Sequence, residues 1–213
     1  MEINIDHIGY GTRVLARDIA FTVAPGECLL LAGSNGCGKT TLLKALAREK
    51  GSVLIPTGIP KVKGFSVRAF IRTGCYKESN WAGKLRADAE ERLEEALELL
   101  QLKSLADRDI ATLSDGEFQK ACIAVGLTRQ ASLLLMDEPT AFLDVENRLM
   151  VLRALREVAE AARTAVIFSS HDLQDSLQAA HRVLAFAPGG RFLVSGSNDR
   201  EAVLTEAFPS ARL

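Results

Sequence analysis

Gly33-Ser34-Asn35-Gly36-Cys37-Gly38-Lys39-Thr40 is the stretch on which the fold turns. It has the form G-x-x-x-x-G-K-[ST], and its flanks supply the context that form needs. Cys28-Leu-Leu-Leu-Ala-Gly33 is a short apolar run ending in glycine, which predicts a buried strand. Lys39 opens a helical periodicity through Leu42, Leu43, Leu46 and Ala47. Strand, glycine-rich loop and helix in that order make a phosphate cradle. The glycines let backbone N–H groups turn inward without a Cβ in the way, and the helix N-terminus adds partial positive charge. Lys39 places a full charge on the β- and γ-phosphates of a nucleotide, and Thr40 offers a hydroxyl to Mg²⁺. The loop from Ser34 to Thr40, with Thr41 beside it, is therefore the candidate ATP-binding segment.

Two further apolar runs end in functional groups. Ser132-Leu-Leu-Leu-Met-Asp137 predicts a strand that delivers a carboxylate. A carboxylate there needs a partner, and Mg²⁺ shared with Thr40 supplies one. Glu138 follows at once, pointing the other way if the strand period continues, and is the candidate general base for an attacking water. Thr164-Ala-Val-Ile-Phe168 predicts a third strand, and Ser169 and Ser170 space it from His171. The carboxyl edge of an α/β sheet is where ligands bind, so His171 is a candidate γ-phosphate contact.

With these residues in place the chain resembles the ATP-binding-cassette (ABC) ATPases over essentially its whole length. The order is the cradle, then Leu113-Ser-Asp-Gly-Glu117, the Asp137/Glu138 pair, Phe142-Leu143-Asp144 and His171. The resemblance implies an α/β P-loop NTPase fold: a mixed sheet with flanking helices, N-terminal antiparallel strands and an inserted helical subdomain. It implies one ABC ATPase domain over 1–213, with the core at about 1–57 and 130–213 and the helical subdomain at about 58–129. It further implies ATP hydrolysis coupled to transport, two ATP held between two copies of the chain packed head to tail, and a polytopic membrane permease as partner. The chain would lie in the cytoplasm against the inner face of the cell membrane. Within 113–117, Ser114 and Gly116 would meet the γ-phosphate held by the opposite subunit, flanked by Asp115 and Glu117. Tyr10, 23 residues before Gly33, would stack on adenine. Asp144 would be a dimer contact. Read without the family, Ser114 three residues before Glu117 is simply a helix capping box.

Three departures from the family pattern matter. Asp115 and Glu117 stand where Gly and Gln are commonest, placing two carboxylates near a phosphate site; these repel it unless they point away or pair with Lys or Arg. Similar signatures occur in iron-chelate importers, and residues 65–85, with the only tryptophan, Trp81, are loosely similar to iron–siderophore and haem importers. An iron chelate is therefore the expected cargo. Only 18 residues separate Lys39 from Thr57, where the family places a metal-contacting glutamine. Thr57 is thus a weakened metal candidate, and a small antiparallel hairpin is expected to be trimmed. The trimmed hairpin and the missing glutamine also suit a second reading, a soluble ABC ATPase acting as an assembly or regulatory factor.

The remainder bounds the class. A chain of 213 residues with 47% hydrophobic content can bury a full core as one domain. A net charge of −1 offers no electrostatic case for nucleic acid. No apolar run approaches the ~20 residues that span a bilayer, and the N-terminus lacks signal-peptide features, so an intracellular protein is expected. Cys28, Cys37, Cys75 and Cys122 show no C-x-x-C spacing and are expected to be reduced thiols. Residues 85–102 predict an amphipathic helix, a second helix is expected from Ser114 to about Gln130, and residues 182–195 predict a closing hairpin.

Overall fold

The computed structural model describes residues 1–78 and 85–209, so the stretch around Trp81 lies outside the described residues. The chain opens on an antiparallel ribbon of β1 (Glu2–Tyr10) and β2 (Arg13–Thr22). β3 (Cys28–Ala32) leads through the cradle loop into α1 (Lys39–Leu46), and β4 (Ser52–Ile55) follows. A run of helices comes next: α2 (Val67–Arg72), a 3₁₀ turn (Thr73–Glu78), α3 (Ala87–Leu99) and α4 (Asp115–Thr128). The chain then alternates between β5 (Leu133–Met136), α5 (Val145–Ala162), β6 (Ala165–Ser169) and α6 (Leu173–Ala179). It closes with β7 (Arg182–Ala187), β8 (Arg191–Val194) and α7 (Arg200–Ala207).

β3 to β8 form one six-stranded sheet in the order β4-β5-β6-β3-β7-β8, parallel except for the β7–β8 hairpin. β3, β5 and β6 are buried along their whole length, which is why they read as unbroken apolar runs. The pleat divides their side chains between two cores. Cys28, Leu30, Ala32, Leu134, Met136, Val166 and Phe168 face the core shared with α3, α4 and α5. Leu29, Leu31, Leu133, Leu135, Ala165 and Ile167 face the core shared with α1 and the β1–β2 ribbon. Each fully buried leucine contributes about 1.5–3 kcal/mol by leaving water, so β3, with three in a row, anchors both layers.

The sheet register brings the functional strand ends level. Leu31 pairs with Ser169, Phe168 with Met136, and Met136 with Ile55. The residues that follow β3, β4, β5 and β6 therefore emerge along one carboxyl edge. The neighbours of β3 on its two sides, β6 and β7, come from later in the chain, so the crevice beside β3 is a ligand position for this sheet type.

Several expectations differ in detail. β5 ends at Met136, so Asp137 and Glu138 lie beyond the strand, and its alternation does not carry on to Glu138. Glu138 instead takes a left-handed backbone, φ 49°. α3 stops at Leu99 rather than 102, because Gln101 is left-handed (φ 57°) and ends the periodicity; Leu85 and Leu100 are nonetheless buried. Only residues 47–51 join α1 to β4, with no strand between them, so the hairpin expected to be trimmed is missing altogether. β4 pairs directly with β5.

Candidate nucleotide-binding site

The cradle is built from below. Gly38, just before α1, has φ 120°, and a Cβ there would lie 3.0 Å from Ile8 Cδ1 and 3.3 Å from Leu15 Cδ1. Only glycine lets the loop turn into the helix with the N-terminal ribbon packed so closely. Lys39 is 6% exposed and its Nζ donates to the carbonyls of Gly33 (2.8 Å) and Ser34 (3.4 Å), so the ammonium is held across the mouth of the loop. An ammonium has three donors, which leaves one for a phosphate oxygen.

Around it the three other strand ends converge. Thr40 Oγ1 donates to Asp137 Oδ2 at 2.8 Å. The fully buried Ser169 donates its hydroxyl to Asp137 Oδ1 (2.9 Å) and accepts the Glu138 N–H (2.9 Å). Glu138 owes its left-handed turn to that second bond, and the turn carries its carboxylate to His171, Oε1 to Nε2 2.5 Å. Thr57 reaches the same edge, but its hydroxyl donates to the Asp137 backbone carbonyl at 2.6 Å rather than pointing at Thr40. Metal contact by Thr57 would use the oxygen lone pairs that this bond leaves free.

Tyr10, at the end of β1, is 61% exposed, and its hydroxyl accepts from Thr41 Oγ1 at 2.6 Å. An open cleft of about 190 Å³ is lined by Tyr10, Asn35, Gly36, Lys39, Thr40 and Glu138 among others. An exposed aromatic face at one end and an ammonium at the other suit a base joined to phosphates. Cys37 turns inward: its Sγ would be 2.5 Å from a Cβ on Gly33, and its apolar part packs against the core of the ribbon layer. Burial pushes its thiol pKa up, with Lys39 pulling partly back. It fills the floor of the loop.

The segment 113–117 is a separate group. Ser114 caps α4 by accepting the Glu117 N–H (3.2 Å), and Glu117 reaches back to the Ser114 N–H (2.7 Å), the complete capping box. Asp115 is paired with Lys61 at 2.6 Å. Asp115 is thus paired with a cation, as the repulsion expected of it requires, while Glu117 turns back onto the helix end. Gly116 packs on α5, where a Cβ would lie 2.3 Å from Asn147 Oδ1. Asn147 in turn donates its N–H (2.8 Å) and Nδ2 (3.1 Å) to Asp144, the cap of α5. Phe142, beside Asp144, is 96% exposed. Among the described residues no hydrogen bond or ion pair joins Ser114 to Glu117 or Asp144 with Lys39, Thr40 or Asp137.

The sequence reading misses three contributors. Ser169 enters it only as spacing, Asn147 and Lys61 not at all; Ser169 and Lys61 bond to partners distant in sequence, and Asn147 packs on one, Gly116. Arg148 is a fourth, pairing with Asp172 and lying 3.6 Å from Asp175, which pins α5 to the loop that carries His171.

Thr40 and Asp137 are a sparse, hard-oxygen set. Mg²⁺ is bound through one or two carboxylates plus phosphates and waters rather than by a protein cage, so these residues fit it. Strand, phosphate loop, paired acids and histidine on one edge define a P-loop nucleoside triphosphatase. Residues 16–141 match the ABC transporter family. The chain is 33% identical over 202 residues to YusV of Bacillus subtilis, described as a probable siderophore transport system ATP-binding protein, covering 84% of this chain and 74% of that one. It is 34% identical over 201 residues to the aliphatic sulfonates import ATP-binding protein SsuB 2 of Burkholderia lata, covering 88% and 73%. A structure described as a metal-chelate type ABC transporter, inward-facing, superposes with TM-score 0.78 at 26% identity, covering 91% of this chain and 82% of that one. The chain belongs to the ABC transporter ATPase family, whose members use ATP with Mg²⁺. It is an ATPase whose hydrolysis is coupled to transport. Among the described residues no helix is long and apolar enough to cross a membrane.

Proposed function

We propose that this chain powers the import of an iron chelate, working as a head-to-tail pair that closes on two ATP. The observation that carries the hydrolytic part is Glu138 held 2.5 Å from His171, on the edge where Thr40 and Asp137 meet. Tyr10 stacks on adenine, and the N–H groups of 34–41 with Lys39 hold the phosphates. Thr40 and Asp137 would hold Mg²⁺, which would offset the negative charge that develops in phosphoryl transfer. Glu138 accepts the proton of the attacking water, and His171 fixes that carboxylate and contacts the γ-phosphate. Ser114 and Gly116 approach from the other copy, where the hydroxyl, the N–H groups and the N-terminus of α4 all favour an anion. Asp144 and the exposed Phe142 lie at the contact between copies. Residues 58–129 act as the signature-bearing subdomain, and the surface that follows Thr57 receives the permease at the inner face of the membrane.

The siderophore relative and the metal-chelate transporter support iron chelate as cargo, and import subunits among the relatives favour transport over a soluble assembly or regulatory role. Glu138→Gln tests the mechanism. It should bind Mg-ATP, lose on the order of 10²–10⁴-fold in turnover, and accumulate as an ATP-dependent dimer in light scattering. A variant that stays monomeric with Mg-ATP would rule out the sandwich. Cargo is tested with the permease complex copurified from native membranes: ferric siderophore and its binding protein should stimulate the ATPase, and stimulation by an aliphatic sulfonate instead would overturn the iron reading.

A further inference from the structure

The segment after Thr57 is fastened along the residues that lead to the signature. The Gly64 N–H donates to Asp109 Oδ2 (2.8 Å), the Phe65 carbonyl accepts the Ile110 N–H (2.9 Å), and the Val67 N–H donates to the Arg108 carbonyl (2.9 Å). Among the described residues Lys61 alone makes polar contacts from this strap to the signature loop itself. Its Nζ donates to the Leu113 carbonyl (2.7 Å) and to Asp115 Oδ1 (2.6 Å), and sits 5.7 Å above the Phe118 ring. One ammonium therefore grips the residues on both sides of Ser114. At its other end the strap is tied to the catalytic edge through Thr57 and the Asp137 carbonyl. Val62 and Phe65, on the strap, are exposed apolar side chains.

We infer that Lys61 is a positioning residue that locks the signature loop to this strap, so that displacement of the strap's exposed apolar face by the membrane partner moves Ser114 and Gly116. This rests on the sandwich reading above. It gives a place to two departures from the family pattern. Asp115, where glycine is commonest, supplies the carboxylate that Lys61 grips, and the short Thr57 leaves the strap held at its far end by the main chain. Asp115 is largely exposed, so the ion pair adds little to folding. The loss of Lys61 should be read in assembly rather than in unfolding.

The test uses the full chain carrying Glu138→Gln and measures the Mg-ATP concentration at half-maximal dimer formation by light scattering. Adding Lys61→Met, which keeps an aliphatic stem over Phe118, should raise that concentration about tenfold, within the 5–150-fold range of ordinary coupling between sites. Binding of a fluorescent ATP analogue by the monomeric chain and the melting temperature should be unchanged. Lys61→Arg, which keeps charge and donors, should restore the original half-point. Lys61→Met dimerising at the same ATP concentration as its parent would overturn this inference alone. A parent Glu138→Gln chain that never dimerises would overturn the sandwich reading and this inference with it.

Discussion

Ser169→Ala removes a single oxygen from the centre of the site. That oxygen donates to Asp137 and accepts from the Glu138 N–H, with no exposure to water. A hydrogen bond to a charged group contributes about 1.5–3 kcal/mol, and a buried N–H left unpaired costs about 1–3 kcal/mol. The two are not additive, so a loss of about 2–4 kcal/mol is expected, or about 4–16 °C in melting temperature for a chain of this size. The effect on chemistry should exceed that of a remote cavity. Asp137 would keep only Thr40 as a side-chain partner, and Glu138 would lose the bond that sets its left-handed turn. Removing a group that orients a metal-binding residue typically costs 10–100-fold. Steady-state ATPase titrated with Mg²⁺ at fixed ATP should show the half-saturating Mg²⁺ raised and turnover lowered, each by about that factor. Ser169→Thr keeps the hydroxyl; its extra methyl should cost about 1–3 kcal/mol of stability by overpacking but leave the Mg²⁺ requirement near wild type. Wild-type Mg²⁺ dependence in Ser169→Ala would refute the argument, whatever the melting temperature did.

Two other outcomes are expected. Tyr10→Ala should raise KM for ATP about 5–150-fold with little change in kcat, whereas Tyr10→Phe, which loses only the Thr41 bond, should shift KM by less than tenfold; equal effects would remove the stacking role. Because burial raises the thiol pKa of Cys37, and pushes Cys28 and Cys122 up to about 12, the native chain at pH 8 should react with iodoacetamide far more slowly than a free thiol. Peptide mapping should find Cys37 modified first, as the one thiol not fully inside, and Mg-ATP should block it; prompt labelling that ATP leaves untouched would place Cys37 elsewhere.

The layer structure and the two phosphate-site strands were legible because their signals are local and periodic. Leu29, Leu30 and Leu31 announce a strand covered on both faces, and the glycines with Lys39 announce the turn into α1. The capping box at Ser114 was legible for the same reason, since both of its bonds span three residues. What escaped was set by register. Ser169 acts because β6 lies beside β3 and β5 at one particular alignment, and Lys61 because a strap returns past residue 113. The left-handed turn at Glu138 also escaped: alternation extrapolated from β5 has no way to register that a serine 31 residues later will take its N–H. Asp115 shows the converse. Its charge looked unfavourable in sequence and is engaged in space.

β1 pairs only with β2 among the described residues, and its other side is a bare edge. Such an edge is a template on which foreign strands can grow. Glu2, Asp6 and His7 stand exposed along it, and a bulge at Ile8/Gly9 interrupts its line. Charge and irregularity thus guard this edge against edge-to-edge aggregation.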